Sequence, residues 1–279
     1  MEELKKSRTT FIVITLINFF VLGNYISRDK IIHGIGYFLF FYVSILAIYF
    51  LTKSKPPRNE ILVREPRKEL TIAVIFALLG IVFLFLNFMI KGAPIQPNGA
   101  IKILVIIGSL IFSMPIGIFL YLIIKKYKIL SLGLRTQPLS LLLIGVLIFG
   151  FTGLFAYVFN KDGIIWEEGY KELGGIFGLI MSGLIGAALF EEFSRFIIMS
   201  RFEKVFNVYG MNILFATVIW AFMHFPVTHF KGAELSDNLI YCIQIIPIGF
   251  VWGYLTQRTH SILPATLAHG FNLWGLQNG

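Results

Sequence analysis

Glu191, Glu192 and Arg195 interrupt an otherwise apolar stretch that runs from Gly186 to Met199. Ionisable groups inside a membrane helix cost about 2.5–3.5 kcal/mol each on insertion scales, so three together point to function. At 100° per residue, Arg195 falls about 40° from Glu191 and about 60° from Glu192. It lies between the two carboxylates and can pair with Glu191 at i+4 and with Glu192 at i+3. A structural ion pair needs only one glutamate. The second leaves this face of the helix net negative.

Histidines supply the complementary chemistry. Of the five in the chain, His33 opens an apolar window, and His229 and His260 fall in predicted loops as solvated or interfacial residues. His224 and His269 instead lie in apolar helices, with Asn272 one turn beyond His269. A lone helical histidine is more often a core residue, but depth argues otherwise here. The turn signal Asn207-Val-Tyr-Gly210 sits midway between Glu191 and His224. A hairpin there puts both about 24 Å from the turn, and Glu191 about 13 Å below the membrane surface. His269 follows the turn Arg258-Thr-His-Ser261 and comes to about 12 Å depth. Three elements thus bring Glu191, His224 and His269 to one level, where their polar atoms are expected to line a cavity that can hold a water.

That set suits water activation. A carboxylate withdrawn from bulk solvent can act as a general base, and a neutral histidine can orient the same water or protonate a leaving amine. Asn272 and a second histidine can donate to an oxyanion. Two glutamates and two histidines could also hold zinc. However, HExxH is absent, the single cysteine, Cys242, offers no thiolate pair, and Arg195 would repel a second cation. No cofactor or metal is therefore expected. There is no GxSxG motif and no phosphate loop.

These residues need a scaffold, and composition says which kind. In 279 residues, 57% are hydrophobic and 14% charged, with 29 phenylalanines. A soluble domain carries about 25% charged residues, so the bilayer is the fitting solvent. The formal charge of +9 is spread between apolar runs, which suits lipid head groups rather than nucleic acid. Charge-free windows cover 9–27, 31–52, 70–90, 103–124, 136–160, 173–190, 205–230, 238–257 and 259–279. Their continuity predicts an all-α, polytopic transmembrane bundle of eight to nine helices, the last a candidate short half-buried helix. The first window lacks a small-x-small cleavage site and reads as a retained helix. With the N-terminus cytoplasmic, 16 Lys and Arg fall inside and 7 outside, which predicts a multi-pass cell-membrane protein in that orientation. The unusual residues all follow residue 139. Residues 1–138 therefore read as a packing wrapper and 139–279 as the working bundle. A ridge of small residues, Gly174, Gly178, Ser182 and Gly186, is expected to press the glutamate-bearing helix into the bundle.

At these positions the chain resembles the CPBP family of CAAX-prenyl-protease and bacteriocin-processing membrane proteins, over roughly residues 139–276. That family carries EExxxR, FxxxH and HxxxN on successive helices. The counterparts are Glu191-Glu192-Phe-Ser-Arg195, Trp220-Ala-Phe-Met-His224 and His269-Gly-Phe-Asn272. The arginine and the asparagine each come one residue early, and Trp220 stands where the family has phenylalanine. The resemblance implies a glutamate-type intramembrane endopeptidase acting on a membrane-associated peptide or protein, with or without a lipid. Glu191 and His224 would activate water, His269 and Asn272 would stabilise the oxyanion, and Glu192 and Arg195 would hold the site in shape. A catalytically silent immunity or scaffold protein stays open as an alternative, as does a proton-coupled transporter, against which the lack of an internal repeat counts.

Overall fold

The uninterrupted apolar runs fold as helices, because a backbone in hydrocarbon must satisfy its N–H and C=O groups internally. The computed structural model describes residues 2–53, 61–92, 98–112, 116–135, 139–159, 174–226, 234–270 and 272. His229 and residues 54–60 of the polar stretch after Lys53 lie outside the described residues. In chain order the helices are α1 (Glu2–Ser27), α2 (Ile31–Thr52), α3 (Pro66–Gly92), α4 (Gly99–Phe112), α5 (Ile116–Ile124) and α6 (Leu139–Phe159). A π-helical segment, Leu179–Leu189, then runs into α7 (Phe190–Phe206). The chain continues through α8 (Met211–Met223), α9 (Leu235–Gln244), α10 (Ile246–Thr259) and α11 (Leu263–Gly270). All regular structure among the described residues is helical, the polytopic bundle expected from the sequence.

The apolar windows are filled in different ways. Five helical stretches are long and apolar enough to cross a membrane: Arg8–Ser27, Ile31–Thr52, Pro66–Ile90, Leu139–Phe159 and Leu235–Thr259. The pair α4 and α5, bent by 61°, makes a sixth if taken as one span. At 13 residues, α8 reaches only about 20 Å, short of the roughly 30 Å hydrocarbon core, so its C-terminal end stops at depth. Helix α11 is shorter still, and its inner residues are buried.

The α9–α10 span is the axis of the bundle: 72% of its best window is buried, against 17% for α3. Two glycines on α10 let α8 approach it. A Cβ at Gly249 would lie 2.6 Å from the Trp220 ring, and one at Gly253 would lie 2.7 Å from Ile213. This Gly-x-x-x-Gly pair is the working small-residue ridge. The expected ridge from Gly174 to Gly186 is not one. Leu179–Leu189 hydrogen-bonds with π-helical i→i+5 spacing, so residues four apart no longer stack on one face. A Cβ at Gly174 would meet nothing within 4 Å, and one at Gly186 would meet only the Met181 carbonyl of its own segment, at 2.9 Å.

Helix α11 is seated from two sides. Gly145 of α6 lies against the Pro264 carbonyl, 2.1 Å from where a Cβ would stand, and Leu184 of the π segment packs on Gly270. Helix α3 is fastened to α7 by a buried ion pair, Arg201 Nε to Glu69 Oε2 at 3.0 Å. The Tyr127 hydroxyl donates to the other oxygen of Glu69 at 2.6 Å, and Arg201 Nη1 donates to Ser200 Oγ at 2.9 Å.

Candidate active site

Glu191 and Glu192 open α7, where the chain leaves π winding for α winding. Asn207 ends that helix in the left-handed region (φ 49°) and Gly210 follows at φ 85°. The hairpin therefore turns where Asn207 and Gly210 predicted it. Helix α8 then climbs back and stops at His224, its C-cap. On the other side, α10 ends at His260, also left-handed (φ 51°), and α11 carries His269 inward. His260 is thus half-buried in a tight turn, and His33 is buried beside Tyr25.

These turns bring three predicted residues together. His269 Nε2 lies 3.5 Å from Glu191 Oε2, and His224 Nε2 lies 3.9 Å from the same oxygen. The Trp220 indole N–H also donates to Glu191 Oε2. The Glu191 and His224 side chains are each 27% exposed, whereas His269 is 8% exposed. A small cavity between α7 and α8 opens on Glu191, with apolar walls from Ile198, Ala216, Ile219 and Met223. Neither histidine lines this cavity. The His269 ring lies flat on Trp252, with centroids 3.9 Å apart and an interplanar angle of 16°.

The second glutamate orients His269. Glu192 Oε1 lies 2.9 Å from His269 Nδ1 and also accepts from Arg195 Nη2. A carboxylate held by a guanidinium acts as acceptor, so His269 carries its proton on Nδ1 and turns Nε2 toward Glu191. His224 is oriented in the same way, with Nδ1 3.1 Å from the Trp220 carbonyl. A carbonyl only accepts, so Nδ1 again bears the proton and Nε2 faces the carboxylate.

Arg195 makes the i+3 pairing with Glu192 that the helical spacing allows, and not the i+4 pairing with Glu191. It hydrogen-bonds Glu192 and the Gly249 carbonyl of α10, and no hydrogen bond joins it to Glu191. The helical wheel places Arg195 nearer Glu191, but α10 supplies an acceptor on the Glu192 side. The guanidinium also lies over the Trp220 ring, at 4.7 Å, and the Trp252 ring, at 5.6 Å. Asn272 follows one turn beyond His269. It is buried, in a turn closed by its own N–H to the His269 carbonyl at 2.9 Å. Among the described residues, no three of His, Cys, Asp and Glu are arranged to hold a metal ion.

Sequence reasoning missed Trp252 and the Glu69–Arg201 pair. Nothing local marks Trp252, and Glu69 and Arg201 are 132 positions apart. The Gly249-x-x-x-Gly253 spacing was the signal for the α8–α10 contact.

Residues 174–274 match a family model described as Rce1-like, type II CAAX prenyl endopeptidase Rce1-like. This segment belongs to the CPBP/CAAX-protease family. The matched stretch of the CAAX-protease segment holds Glu191, Glu192, Arg195, Trp220, His224, His269 and Asn272. No curated protein and no solved structure matches the chain.

Proposed function

We propose that this membrane protein of the CAAX-protease family is a glutamate-type intramembrane endopeptidase that cuts a membrane-associated peptide or protein. The observation that carries this reading is the meeting of Glu191 with two histidine Nε2 atoms from separate helices, at 3.5 and 3.9 Å. In this reading a water donates hydrogen bonds to Glu191 and to the lone pair of His224 Nε2. Glu191 takes its proton as the oxygen bonds to the scissile carbonyl carbon. The carbonyl oxygen becomes an oxyanion, and His269 and Asn272 are the donors assigned to it. For His269 this requires a second proton, on Nε2, and Glu192 against Nδ1 stabilises the resulting cation. The C–N bond then breaks, and the proton held by Glu191 passes to the leaving amine. No step calls for a metal, and we assign none.

The protein is further proposed to lie in the cell membrane with its N-terminus cytoplasmic, and to receive peptides with or without a lipid. The test is product identification by mass spectrometry. Purified protein in liposomes is incubated with matched prenylated and unprenylated membrane peptides. Wild type is expected to release a defined fragment, and Glu191→Gln is expected to lose at least about a hundredfold in rate. Equal cleavage by both would remove Glu191 from the chemistry. Cleavage by neither would favour the silent scaffold.

A further inference from the structure

Trp220 stands where the resembled family has phenylalanine, and the indole does something that a phenyl ring cannot. Its N–H donates to Glu191 Oε2. Both histidine Nε2 atoms face that same oxygen. The indole hydrogen bond and the closest approach of each histidine to the Glu191 side chain all fall on Oε2. The side chain is nevertheless 27% exposed and borders the cavity between α7 and α8.

The indole is itself firmly held. Trp220 is buried, with the Arg195 guanidinium over one part of it at 4.7 Å. The Trp252 ring meets it edge-on at 5.7 Å, the His224 ring packs on it at 4.8 Å, and Gly249 leaves room for its six-membered ring on the α10 side. Tryptophan also has few rotatable bonds, so this donor is fixed in place before any substrate arrives. A hydrogen bond from a fixed N–H to a carboxylate is charge-assisted and directional.

We infer that Trp220 is a positioning residue that tethers Glu191 through Oε2, so that Oε1 is the oxygen left to take the proton from water. The inference rests on the proteolytic reading for its kinetic consequence, but the tether itself does not. Without the tether, the carboxylate rotates about its last bond and shares its time among orientations, so fewer collisions with water are productive. Substrate contacts do not change. The signature is therefore a loss in kcat with KM unmoved.

The experiment has two arms. The protein contains four tryptophans, so 15N-indole labelling in detergent gives four N–H signals, and Trp220→Phe identifies its own. In wild type the Trp220 signal is expected downfield, as for a carboxylate-bound N–H, and Glu191→Leu is expected to move it upfield. An unmoved signal overturns the tether, and if Trp220→Phe folds poorly, single Trp→Phe changes at the other three tryptophans assign the Trp220 signal by elimination. In the second arm, hydrolysis of a cleaved membrane peptide is followed for Trp220→Phe and Glu191→Gln. Trp220→Phe keeps the ring for Arg195, His224 and Trp252 to pack on and loses only the donor. A fall in kcat of about ten- to a hundredfold is expected, the size of one hydrogen bond to a charged group, with KM unchanged. An inactive Glu191→Gln beside a Trp220→Phe with wild-type kcat overturns the positioning role alone. A fully active Glu191→Gln overturns the proteolytic reading and the kinetic role with it, and the indole signal then decides the tether by itself.

Discussion

Arg195 is the residue on which the local electrostatics turn. Its side chain is 1% exposed, as is that of Glu192, and its hydrogen bonds reach Glu192 on its own helix and Gly249 on α10. Removing one partner of a buried pair leaves an uncompensated charge, which typically costs about 3–5 kcal/mol. Arg195→Ala is therefore expected to melt well below wild type in detergent, and to lose activity as Glu192 loses its partner and with it its hold on His269. Arg195→Lys restores charge but not a fork that can reach Glu192 and the Gly249 carbonyl together, so partial recovery of both is expected. An Arg195→Ala protein with wild-type melting and turnover would mean that the arginine is not where α7 puts it. Outside the membrane spans, the exposed Glu65–Lys125 pair (3.1 Å) sets a milder electrostatic test. The hydrogen bond and charge of Lys125 hold the Glu65 carboxyl below its usual range, and those of Glu65 hold the Lys125 ammonium above its own. The stabilisation from Glu65 is present above the carboxylate's unfolded value and fades as pH falls through its lowered folded value. That from Lys125 is present below the ammonium's unfolded value and fades as pH rises through its raised one. The small melting difference between wild type and Glu65→Gln should accordingly be present at neutral pH and vanish in acid.

At the scale of elements, two close approaches decide where the histidine-bearing helices sit. Gly145 on α6 faces backbone, the Pro264 carbonyl, and backbone cannot turn aside as a side chain can. Gly145→Ala is thus expected to displace α11, costing about 1–3 kcal/mol as overpacking does, and to lower activity by moving His269. Gly150→Ala on the same helix is the control: a Cβ there meets nothing within 4 Å, so helix propensity alone predicts equal or slightly higher melting. If both variants melt alike, α6 and α11 are not in this contact. The Glu69–Arg201 pair works between α3 and α7 in the same sense. Glu69→Ala strands a buried guanidinium and should lower melting strongly, by about 3–5 kcal/mol. A variant with both residues replaced by leucine and methionine should recover much of that loss, because packed apolar groups can stand in for a buried ion pair.

For the whole molecule, the loops sort to two ends as the alternation of spans requires. Arg258 Nε donates to Thr52 Oγ1 at 2.9 Å, Arg64 Nη1 to the Lys125 carbonyl at 2.7 Å and Ser261 Oγ to the Arg135 carbonyl at 3.2 Å. All of these lie in segments assigned to one side by the Lys and Arg count. Arg28 and Asp237, assigned to the other side, pair with each other at 2.5 Å. Single cysteines at Lys126 and Asp29, in a protein with Cys242 replaced, test the absolute direction. With the N-terminus cytoplasmic, an impermeant maleimide added to intact cells should label position 29 and spare 126, and the reverse pattern would invert the molecule. The first 138 residues, read as a wrapper, touch the working bundle through Gly36 against Phe159 and through Glu69 against Arg201.

The sequence alone determined the solvent, the helical class, the turn at Asn207–Gly210 and the identity of the groups that meet. Each of these follows from local composition or from rise per residue, and neither depends on neighbours. It did not determine the partners of Arg195, the π winding before Glu191, the burial of Asn272, or the tryptophan under His269. Those are settled between elements far apart in the chain. The Gly249 carbonyl, from another helix, helps decide which of two wheel-allowed glutamates holds the Arg195 guanidinium. A π segment rotates the small-residue stripe away from its expected contact. Trp252 lies flat on His269 because α10 and α11 pack against each other beyond the turn at His260. Hydrogen-bond geometry and steric fit across helices carry no periodicity for a sequence to show, so only the tertiary structure could decide them.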